Sequence, residues 1–582
     1  MSDWRALVRS RFDTLHTPGV DKRMTLAEAV RRFVEPGMTL NPVSLQARPV
    51  AALHEVIRQF HGQDPGFTFV SSSMSGNYLQ LLGAGVLRKA ITSFAGEGYP
   101  TPGPSPVVAR ALEEEACTFE HWTMLTLSQR LFAGAQGLSF TPTRSLIGSD
   151  MARELEVQGV YAELDDPFSP DGRQAVVRAL RPDLAFVHCW AADPAGNAIC
   201  FPPHQENVYG AIASKRGVVL TVHHVVDADF VRRHSHLVRI PADRVLAVCH
   251  APYGSHPYGN YAAGVPEFTP YANDYAYMRE HRAAQESAER YADWLKTWIL
   301  DMESHEAYLD TLGESHLRAL TQQADPGSWR SELESHGDAL DGLGPASATE
   351  EMIVQAARAT SERVRAEGFE TLLSGVGQSA LAAWLATHQL RADGQEITLL
   401  AETGMVGHDP RPSDPFLINY RNMPTTTQLT DVIETLGLHA CGAANRCLAT
   451  LGAAQVDRHG NVNSTRTASG RFLVGSGGAN DVASASEETL LVARQQKRSF
   501  VEQVDFVTSP GDRVRLLIST HGRYERRDGE LVLTGVFQSA GESPEAVVDE
   551  IRSLCGWDLE VATNLDWLPP ATDEELAMLL SL

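Results

Sequence analysis

The chain has 582 residues, of which 43% are hydrophobic and 21% are charged, a composition typical of a globular protein with several domains. Its formal net charge of −24 argues against nucleic acids and anionic membranes as partners, because both bind basic surfaces. The 7 cysteines form no CxxC pair and no zinc-type spacing, which predicts reduced, buried thiols and no bound metal.

The N-terminal segment, MSDWRALVRSRFDTL, carries charges throughout its length. This pattern predicts that the chain has no signal peptide. Farther along, no apolar run approaches the roughly 18 residues that a membrane-spanning helix needs. A cytoplasmic location is therefore expected.

Both halves of the chain contain an apolar strand that ends in the same turn, Asp-x-x-Gly-Asn. The first copy is AFVHCWAADPAGNAI, with its turn at 193–197, and the second is ATLGAAQVDRHGNVN, with its turn at 457–461. These residue types are common in turns, so a single match carries little information. Two matches at a similar stage of the two halves predict a duplicated α/β architecture.

A boundary between the two halves is visible near the middle of the chain. Helical patterns run from about Asp274 to Leu320, and a segment rich in Gly, Ser, Asp and Pro follows. The expected division is a first domain at 1–320, a linker at 321–350 and a second domain at 351–582. Helices alternate with strands after the linker, which predicts open α/β domains with largely parallel sheets.

The second half contains a strand, a glycine-rich turn and a helix in FETLLSGVGQSALAAWLATH, with the pattern Gly375-x-Gly377-x-x-Ala380. The next strand, EITLL, is followed by a single acid, Glu402. In a dinucleotide fingerprint such an acid binds a ribose about 20 residues after the first glycine, and the spacing here is looser. Three interpretations stay open: a nucleotide site in an oxidoreductase, an ordinary tight turn, or a site for a different ligand.

A second glycine-rich segment, RFLVGSGGANDVAS, follows another apolar strand and includes Gly475, Gly477 and Gly478. It matches neither a phosphate-binding loop nor the turn of a serine hydrolase. Glycines let backbone N–H groups approach a ligand oxygen without a Cβ in the way, and two such groups can hold a developing oxyanion. A structural turn is the alternative.

Longer motifs occur in order along the chain. In the first half they are MTLAEAVRRFVEPG, LDDPFSPDG, HCWAADPAGNA, APYGSHP and ESHEAYLDTLGESHL, and in the second half AETG, GAAQVDRHGNVNST, RFLVGSGGAND and QVDFVTSPGD. From Met24 to about Asn564, apart from the linker, the chain resembles family I coenzyme A transferases of the glutaconate CoA-transferase type. The two usual subunits are fused, with an α-like first half and a β-like second half.

This resemblance implies roles for individual residues. Glu402 in AETG stands where the family has its nucleophilic glutamate, at a site between the two domains. With an ordinary pKa of about 4.3, this glutamate is expected to be ionised at neutral pH. The glycines expected beside the oxyanion or the CoA arm are Gly375, Gly377, Gly404, Gly475, Gly477 and Gly478. No nicotinamide cofactor is implied.

One segment of the first half departs from the glutaconate enzymes. Thr92 to Tyr99 reads TSFAGEGY, where those enzymes carry a different, serine-containing segment on the acyl side of the site. Glutaconate itself is therefore not favoured as the substrate. Ser93, Glu97 and Tyr99 are the expected substrate-side residues. Glu97 is either a second catalytic or orienting carboxylate or a structural hydrogen-bonding acid.

The resemblance implies that CoA moves from an acyl-CoA donor to a carboxylic acid by a ping-pong mechanism, through a glutamyl-CoA thioester on Glu402. Coenzyme A is then a substrate, and no permanently bound cofactor or metal is required. Hydrolysis of a CoA thioester, ring opening or decarboxylation are the alternatives, and retention of Glu402 favours transfer. Relatives pair their αβ units, so a homodimer or higher homo-oligomer is expected.

Overall fold

The computed structural model describes residues 3–13, 19–44, 47–168, 172–204, 206, 208–262, 265–335, 337, 343–412, 416, 421–443 and 446–582. Each half of the chain forms one large sheet with a parallel core. Helices connect the parallel strands and pack against the sheets. The expected fold class, two open α/β domains with largely parallel sheets, is confirmed.

The sheet of the first half has seven parallel strands at its core. In spatial order they are Val245–His250, Gly217–Val225, Leu184–Ala192, Thr39–Pro42, Phe67–Val70, Leu87–Thr92 and Thr118–His121. Two short antiparallel strands, Ala198–Ile199 and Val238–Ile240, extend it. The strand Leu184–Ala192 is buried along its whole length, which explains its nearly unbroken apolar sequence.

Smaller elements complete the first half. A three-stranded antiparallel sheet contains Phe140–Thr143, Arg173–Arg178 and Tyr161–Asp165, and a short parallel pair contains Ser73–Met74 and Phe94–Ala95. The α-helices are Trp4–Asp13, Leu26–Phe33, Val50–Phe60, Leu79–Gly83, Pro106–Glu113, Met124–Gln136, Asp150–Val157, Tyr209–Ala213, Ala228–Arg233, Tyr275–Ala284, Ala288–Leu295, His305–Leu312 and Glu314–Gln323. The predicted helical stretch from Asp274 to Leu320 is confirmed.

The sheet of the second half has five parallel strands at its core. In spatial order they are Thr398–Ala401, Thr371–Ser374, Cys447–Gly452, Glu488–Ala493 and Val514–Ser519. Met405–Val406 and Gln428–Leu429 flank one edge, and Gly522–Arg527, Glu530–Phe537 and Val561–Leu568 flank the other. Among the described residues, the α-helices are Trp329–Ser335, Ala348–Glu367, Gln378–Ala392, Ala479–Ala485, Pro544–Leu554 and Asp573–Ser581, and Ile433–Ala440 is a π-helix.

The two sheets share the arrangement of their three central strands. In the first, Leu184–Ala192 lies between Thr39–Pro42 and Gly217–Val225. In the second, Cys447–Gly452 holds the same place between Thr371–Ser374 and Glu488–Ala493. The repeated Asp-x-x-Gly-Asn turn comes directly after this strand in the first half, and in the second half it comes after the short strand Gln455–Val456 that follows. The duplicated architecture is thus visible in the topology.

The repeated turn also has the same internal bonds in both copies. Asp193 accepts the backbone N–H of Asn197 at 2.9 Å and its side-chain amide at 2.7 Å. In the second copy, Asp457 accepts the same two groups of Asn461, both at 3.0 Å. The aspartates therefore fix the turns that follow each central strand.

The predicted linker is partly helical. Helix Glu314–Gln323 crosses its expected start, helix Trp329–Ser335 lies within it, and helix Ala348–Glu367 begins before its expected end. Residues 336 and 338–342 of this segment lie outside the described part of the chain. Among the described helices, none has the length and apolarity to cross a bilayer.

The halves contact each other through loops that follow parallel strands. Ala95 N–H donates to Val474 O at 2.8 Å, and Met124 N–H donates to Gly477 O at 2.9 Å. At another point, His204 N–H donates to Thr430 O at 2.7 Å. Each of these bonds joins a residue of the first half to a residue of the second half. The two halves therefore pack directly against each other.

Candidate active site

A cavity of about 820 Å³ lies between the two halves and is called the interface cavity here. The predicted site residues on its wall are Glu97, Tyr99, Gly375, Gly377, Glu402, Gly475, Gly477 and Gly478. Ser93 and Gly404 are not on that wall. The fold thus brings most of the predicted residues of both halves around one space, at the carboxyl ends of parallel strands.

Glu402 is the first residue after the buried strand Thr398–Ala401 and begins a tight turn into Met405–Val406. The N–H of Gly404 donates to Ala401 O at 3.1 Å, and Thr430 N–H donates to Gly404 O at 2.7 Å. This turn directs the Glu402 side chain into the cavity, against Gly478, where a Cβ on the glycine would collide with Oε2. The carboxylate is therefore held at a fixed point of the wall.

The ionisation of Glu402 differs from the expectation. Its pKa is raised to about 7, first by burial of the carboxyl group and second by the charge of Asp481, while the N–H of Gly478 bonded to it lowers the pKa. A glutamate with an ordinary pKa would be fully ionised at neutral pH. Glu402 is half-buried on the cavity wall, and the raised pKa means that a larger share of its carboxyl group is protonated at neutral pH than in an exposed glutamate.

Asp481 is a site residue that the motif analysis did not single out. It lies in helix Ala479–Ala485, immediately after the glycine loop, and is fully buried. Its Oδ2 accepts the N–H of Leu125 from the first half at 3.0 Å, and its Oδ1 has no hydrogen-bond partner among the described residues. Burial raises its pKa to about 6. Asp481 thus connects the halves beside Glu402.

The glycine loop differs from the predicted oxyanion site at two of its three glycines. Gly475 N–H donates to Ser464 O at 3.0 Å, and Gly477 N–H donates to Ser93 O at 2.9 Å. Both amides are therefore used to fix the loop and do not face a ligand. Gly478 is the glycine of this loop that lies against the reacting group, and its N–H is close enough to lower the pKa of the Glu402 carboxyl group.

Ser93 and Gly404 have structural positions instead of the predicted ligand contacts. Besides accepting from Gly477, Ser93 donates its hydroxyl to Ser72 O, and its side chain is fully buried. At Gly404 a Cβ would collide with Thr430 O, so the glycine is needed for chain packing. Sequence motifs alone do not distinguish such packing from an approach by CoA.

Gly375 and Gly377 lie where strand Thr371–Ser374 passes into helix Gln378–Ala392. A Cβ at Gly375 would collide with the Thr450 carbonyl, so this glycine allows close packing of the strand end. Gly377 has a φ of +71°, and a Cβ there would meet only Pro102, at an ordinary contact distance of 3.5 Å. Of the two, Gly377 leaves more room for a ligand on the cavity wall.

Glu97 and Tyr99 line the cavity on the side of the first half. Glu97 is 3% exposed, and burial raises its pKa although the side chains of Gln285 and Arg282 lower it. Its Oε1 has no hydrogen-bond partner among the described residues. The ring of Tyr99 stacks on Tyr275 with centroids 4.5 Å apart. Both residues occupy the side that the resemblance assigns to the acyl group.

Three arginines line another side of the cavity: Arg471, Arg494 and Arg498. Within the described part of the chain, none of them forms an ion pair with a carboxylate. Arg494 instead donates to Thr349 at 3.0 Å, and Arg498 donates to Gln496 at 3.0 Å. They form a local positive patch in a chain of net charge −24. The spacing of isolated arginines gives no sequence signal for this cluster.

One group of side chains outside the cavity has the composition of a metal site. The ligand atoms of His256, Asp274 and His316 lie within 4.8 Å of one another. However, both ring nitrogens of His256 already have partners, with Nδ1 at 2.6 Å from Tyr308 Oη and Nε2 at 3.0 Å from Asp274. The geometry is that of an internal hydrogen-bond network that anchors helix Tyr275–Ala284.

Enzymes built from two different chains are among the relatives of this protein. One chain of the glutaconate CoA-transferase of Acidaminococcus fermentans is 25% identical, over 51% of this protein and 94% of its own length. Both chains of the 3-oxoadipate CoA-transferase of Pseudomonas knackmussii also match. The first is 31% identical over 47% of this protein and 93% of its own length. The second is 30% identical over 38% of this protein and 75% of its own length.

A solved structure with the same fold is an acyl-CoA transferase from E. coli O157:H7 in a thioester complex with CoA. It has a TM-score of 0.65 at 15% identity and covers 97% of this chain and 98% of its own, a likeness that concerns the fold. The family described as coenzyme A transferase matches residues 23–250 and 442–524, more than half of the chain. The two separate chains of a relative both match this single chain, which fits a fused form of such an enzyme. With a family match over more than half of its length, this protein belongs to the coenzyme A transferase family.

Proposed function

We propose that this chain transfers CoA from an acyl-CoA donor to a carboxylic acid acceptor through a glutamyl-CoA thioester on Glu402. The observation that carries the proposal is the side chain of Glu402 on the wall of the interface cavity, against the N–H of Gly478. Family membership supplies the reaction type, and this carboxylate supplies a nucleophile in the shared cavity.

The proposed reaction begins with the ionised form of Glu402. Its carboxylate attacks the acyl carbonyl carbon, the C–S bond breaks, and CoA leaves as a thiolate while a mixed anhydride forms. The thiolate then attacks the glutamyl carbonyl and releases the donor acid, so that the enzyme retains a glutamyl-CoA thioester. The acceptor carboxylate repeats these steps in reverse. One thioester replaces another, so ATP is not consumed.

Two features of the site support this chemistry. Partial burial removes some of the water around the Glu402 carboxylate, which favours attack on a bound acyl group once the carboxylate is ionised. When the thiolate attacks the glutamyl carbonyl, negative charge develops on a carboxyl oxygen of Glu402 itself. The N–H of Gly478 lies beside this carboxylate and lowers its pKa, so it is in position to stabilise that charge.

The positive side of the cavity would bind the nucleotide end of CoA. Arg471, Arg494 and Arg498 line the wall and form no ion pairs with described carboxylates. Guanidinium groups bind phosphate oxygens in a bidentate manner, and CoA carries several phosphates. This arrangement leaves the thiol end of CoA to extend toward Glu402 and the acyl group to extend toward the first half.

The substrate and the assembly remain predictions. The acids in the names of the two relatives, glutaconate and 3-oxoadipate, belong to those enzymes. For this chain we expect an acyl-CoA and a carboxylic acid as substrates, and a cytoplasmic homodimer or higher homo-oligomer. Light scattering that gives a strict monomer at micromolar concentration would contradict the predicted assembly.

The test uses the full chain, a panel of acyl-CoA donors and no acceptor. CoA should become covalently bound to the peptide that contains Glu402, and borohydride should inactivate only the loaded enzyme. Glu402→Gln should abolish transfer and adduct formation, because a neutral amide cannot form the anhydride. Glu396→Gln, an exposed glutamate next to the same strand, is the matched control and should remain active.

Four outcomes would contradict the proposed transfer. An adduct on another residue, or near-normal transfer by Glu402→Gln, would exclude Glu402 as the nucleophile. Release of free CoA at the same rate with and without a carboxylic acid acceptor would instead indicate a thioester hydrolase. Loss of carbon dioxide from the acyl group, followed by mass spectrometry, would indicate a decarboxylase.

A further inference from the structure

The N-terminal helix, Trp4–Asp13, is open to solvent on all sides, because residues 4–12 are all exposed. A helix of 10 residues is only marginally stable by itself in water, so such a helix normally packs against another element. Its large apolar side chains are Trp4, Leu7, Val8 and Phe12. Their spacings of three, four and eight residues from the first place them on one face, where they are 41% to 66% exposed. These four side chains are called the apolar stripe here.

The three-stranded antiparallel sheet of the first half carries apolar side chains on both faces. One face packs into the core through the buried residues Tyr161, Ala175 and Val177. Side chains alternate between the two faces of a sheet, so the register gives the members of the other face, called the outer face here. These are Phe140 beside Arg178, Pro142 and Ala162 beside Val176, and Leu164 beside Gln174. Phe140 is 50% exposed and Leu164 is 47% exposed, so the outer face presents an apolar surface to solvent.

The apolar stripe and the outer face match in size. A helix of 10 residues is about 15 Å long, and the strand Tyr161–Asp165, with 5 residues, spans about 17 Å. In a sheet of three strands the two outer strands are about 10 Å apart, which is the width of one helix. Packing of a helix on a sheet buries the apolar sides of both elements. Each surface therefore has the dimensions that the other needs.

The charges around the two surfaces are complementary. Arg9 lies beside the apolar stripe and forms no ion pair with a described carboxylate. Asp165 and Asp166 lie at one end of the outer face, and they too lack ion pairs within the described part of the chain. Arg178 lies at the opposite end of that face and is exposed. A helix that brings Arg9 to the aspartates directs Asp3, at its own start, toward Arg178.

The segment that follows the helix and the outer face lie at opposite edges of the large first-half sheet. Arg23 forms a bridge to Val248, in the strand at one edge. The small sheet instead packs in one cluster with Trp122, which comes directly after Thr118–His121, the strand at the other edge. A helix from a second copy of the chain is therefore the partner that the outer face fits.

We infer that the helix Trp4–Asp13 of one copy packs on the outer face of a second copy, and that the two copies exchange these helices around a two-fold axis. The exchange makes two identical contacts and closes the assembly as a dimer. It buries the apolar stripe and the outer face, which are both exposed in a single chain. The inference names the surfaces that form the expected homodimer, and it does not depend on the chemistry of Glu402.

Sedimentation velocity of the full chain over a dilution series measures the dimerisation constant. Leu7→Asp and Leu164→Asp should each weaken dimerisation by about 100-fold or more, because each places a charge in an apolar contact. Ala6→Asp, at an exposed residue on the side of the helix away from the apolar stripe, is the matched control and should leave the constant unchanged. Arg9→Asp should weaken the dimer about 10-fold, and Asp165→Arg in the same chain should restore it.

Hydrogen exchange of the same samples locates the contact. The amides of residues 4–13 should be protected in the dimer and should lose this protection on dilution. If circular dichroism shows that Leu164→Asp does not fold, the charge reversal at Arg9 and Asp165 decides instead, since both side chains lie at the surface.

The inference is overturned if the wild type is monomeric at every concentration, or if dimerisation survives both Leu7→Asp and Leu164→Asp. An effect of only one of these variants would show that the helix and the outer face do not contact each other. Protection of the helix that survives dilution would place it on its own chain. Co-sedimentation with vesicles of phosphatidylserine and phosphatidylcholine that requires Leu7 would assign the helix to a membrane surface, and both of these results also overturn the inference.

Discussion

The burial of Glu402 has two opposite effects on its reactivity as a nucleophile. A carboxylate attacks more readily when water is removed, but the same burial raises its pKa to about 7 and reduces the ionised fraction at neutral pH. Asp481 adds a second negative charge beside it and strengthens this effect. The Gly478 N–H acts in the opposite direction. The reactivity of Glu402 is therefore set by burial and by two neighbours in a small space.

Replacing Asp481 with asparagine should shift the pH dependence of the first chemical step. The amide oxygen can still accept the N–H of Leu125, but the negative charge beside Glu402 is lost. The pKa of Glu402 should fall, so the rate of adduct formation should reach half its maximum at a pH lower by about one unit. Single-turnover measurements across pH 5 to 9 would detect this shift. An unchanged or higher midpoint, with exposed Asp512→Asn as control, would contradict the assigned coupling.

The glycine loop contacts the reacting carboxylate through Gly478. Gly478 has a φ of −88°, which suits any residue, so its substitution by alanine tests contact without backbone strain. The new Cβ would collide with Glu402 Oε2 and lie 3.2 Å from Leu436 Cδ1. Displacing the carboxylate by about 1 Å should slow adduct formation on the order of 100-fold.

The control for Gly478→Ala is Gly470→Ala, because Gly470 has open space around it and lies outside the cavity. Its φ of +82° makes the control variant the more strained of the two. Single-turnover rates, together with circular dichroism to confirm folding, separate the effects. If the two variants are equally active, contact between the loop and Glu402 does not limit the reaction.

Elements were more predictable from the sequence than contacts between them. The helices and strands from 348 to 401 follow from local apolar periodicity and appear where expected. By contrast, the amide of Gly477 is occupied by Ser93, and Arg48 is enclosed by Tyr258, 210 residues away in sequence. Local patterns contain no information about such partners. The strand-end motif identified Glu402, but the buried groups that surround it required the fold.

At the scale of the whole molecule, the cavity exists because the two halves are held together. Glu402 belongs to the second half, and Glu97 and Tyr99 on the wall of the same cavity belong to the first half. The buried bond from Leu125 to Asp481 crosses between them, as do those from Ala95 and Met124. Covalent fusion keeps the halves at a high effective concentration. The free-energy cost of burying the Glu402 carboxylate therefore lowers the stability of the assembled chain.

The cost of burying this charge predicts that the stability of the whole molecule depends on the ionisation of Glu402. The pKa of Glu402 is 4.5 in the absence of structure and about 7 in the folded chain, so the ionised group destabilises the fold. The penalty is absent well below pH 4.5, grows as the pH rises toward 7 and is then constant. Glu402→Gln, which mimics the neutral acid, should therefore raise the melting temperature at pH 8 and change it little at pH 5.

Paired thermal melts of the wild type and Glu402→Gln at both pH values would measure this effect, with Glu396→Gln expected to match the wild type at each pH. Only the difference between variant and wild type is informative, because other groups titrate in both proteins. A variant that gains no stability at pH 8, or that gains as much at pH 5, would show that the folded chain does not penalise the Glu402 charge. A gain confined to high pH would mean that the inactive variant is the more stable protein, as expected where a site keeps its nucleophile at the expense of stability.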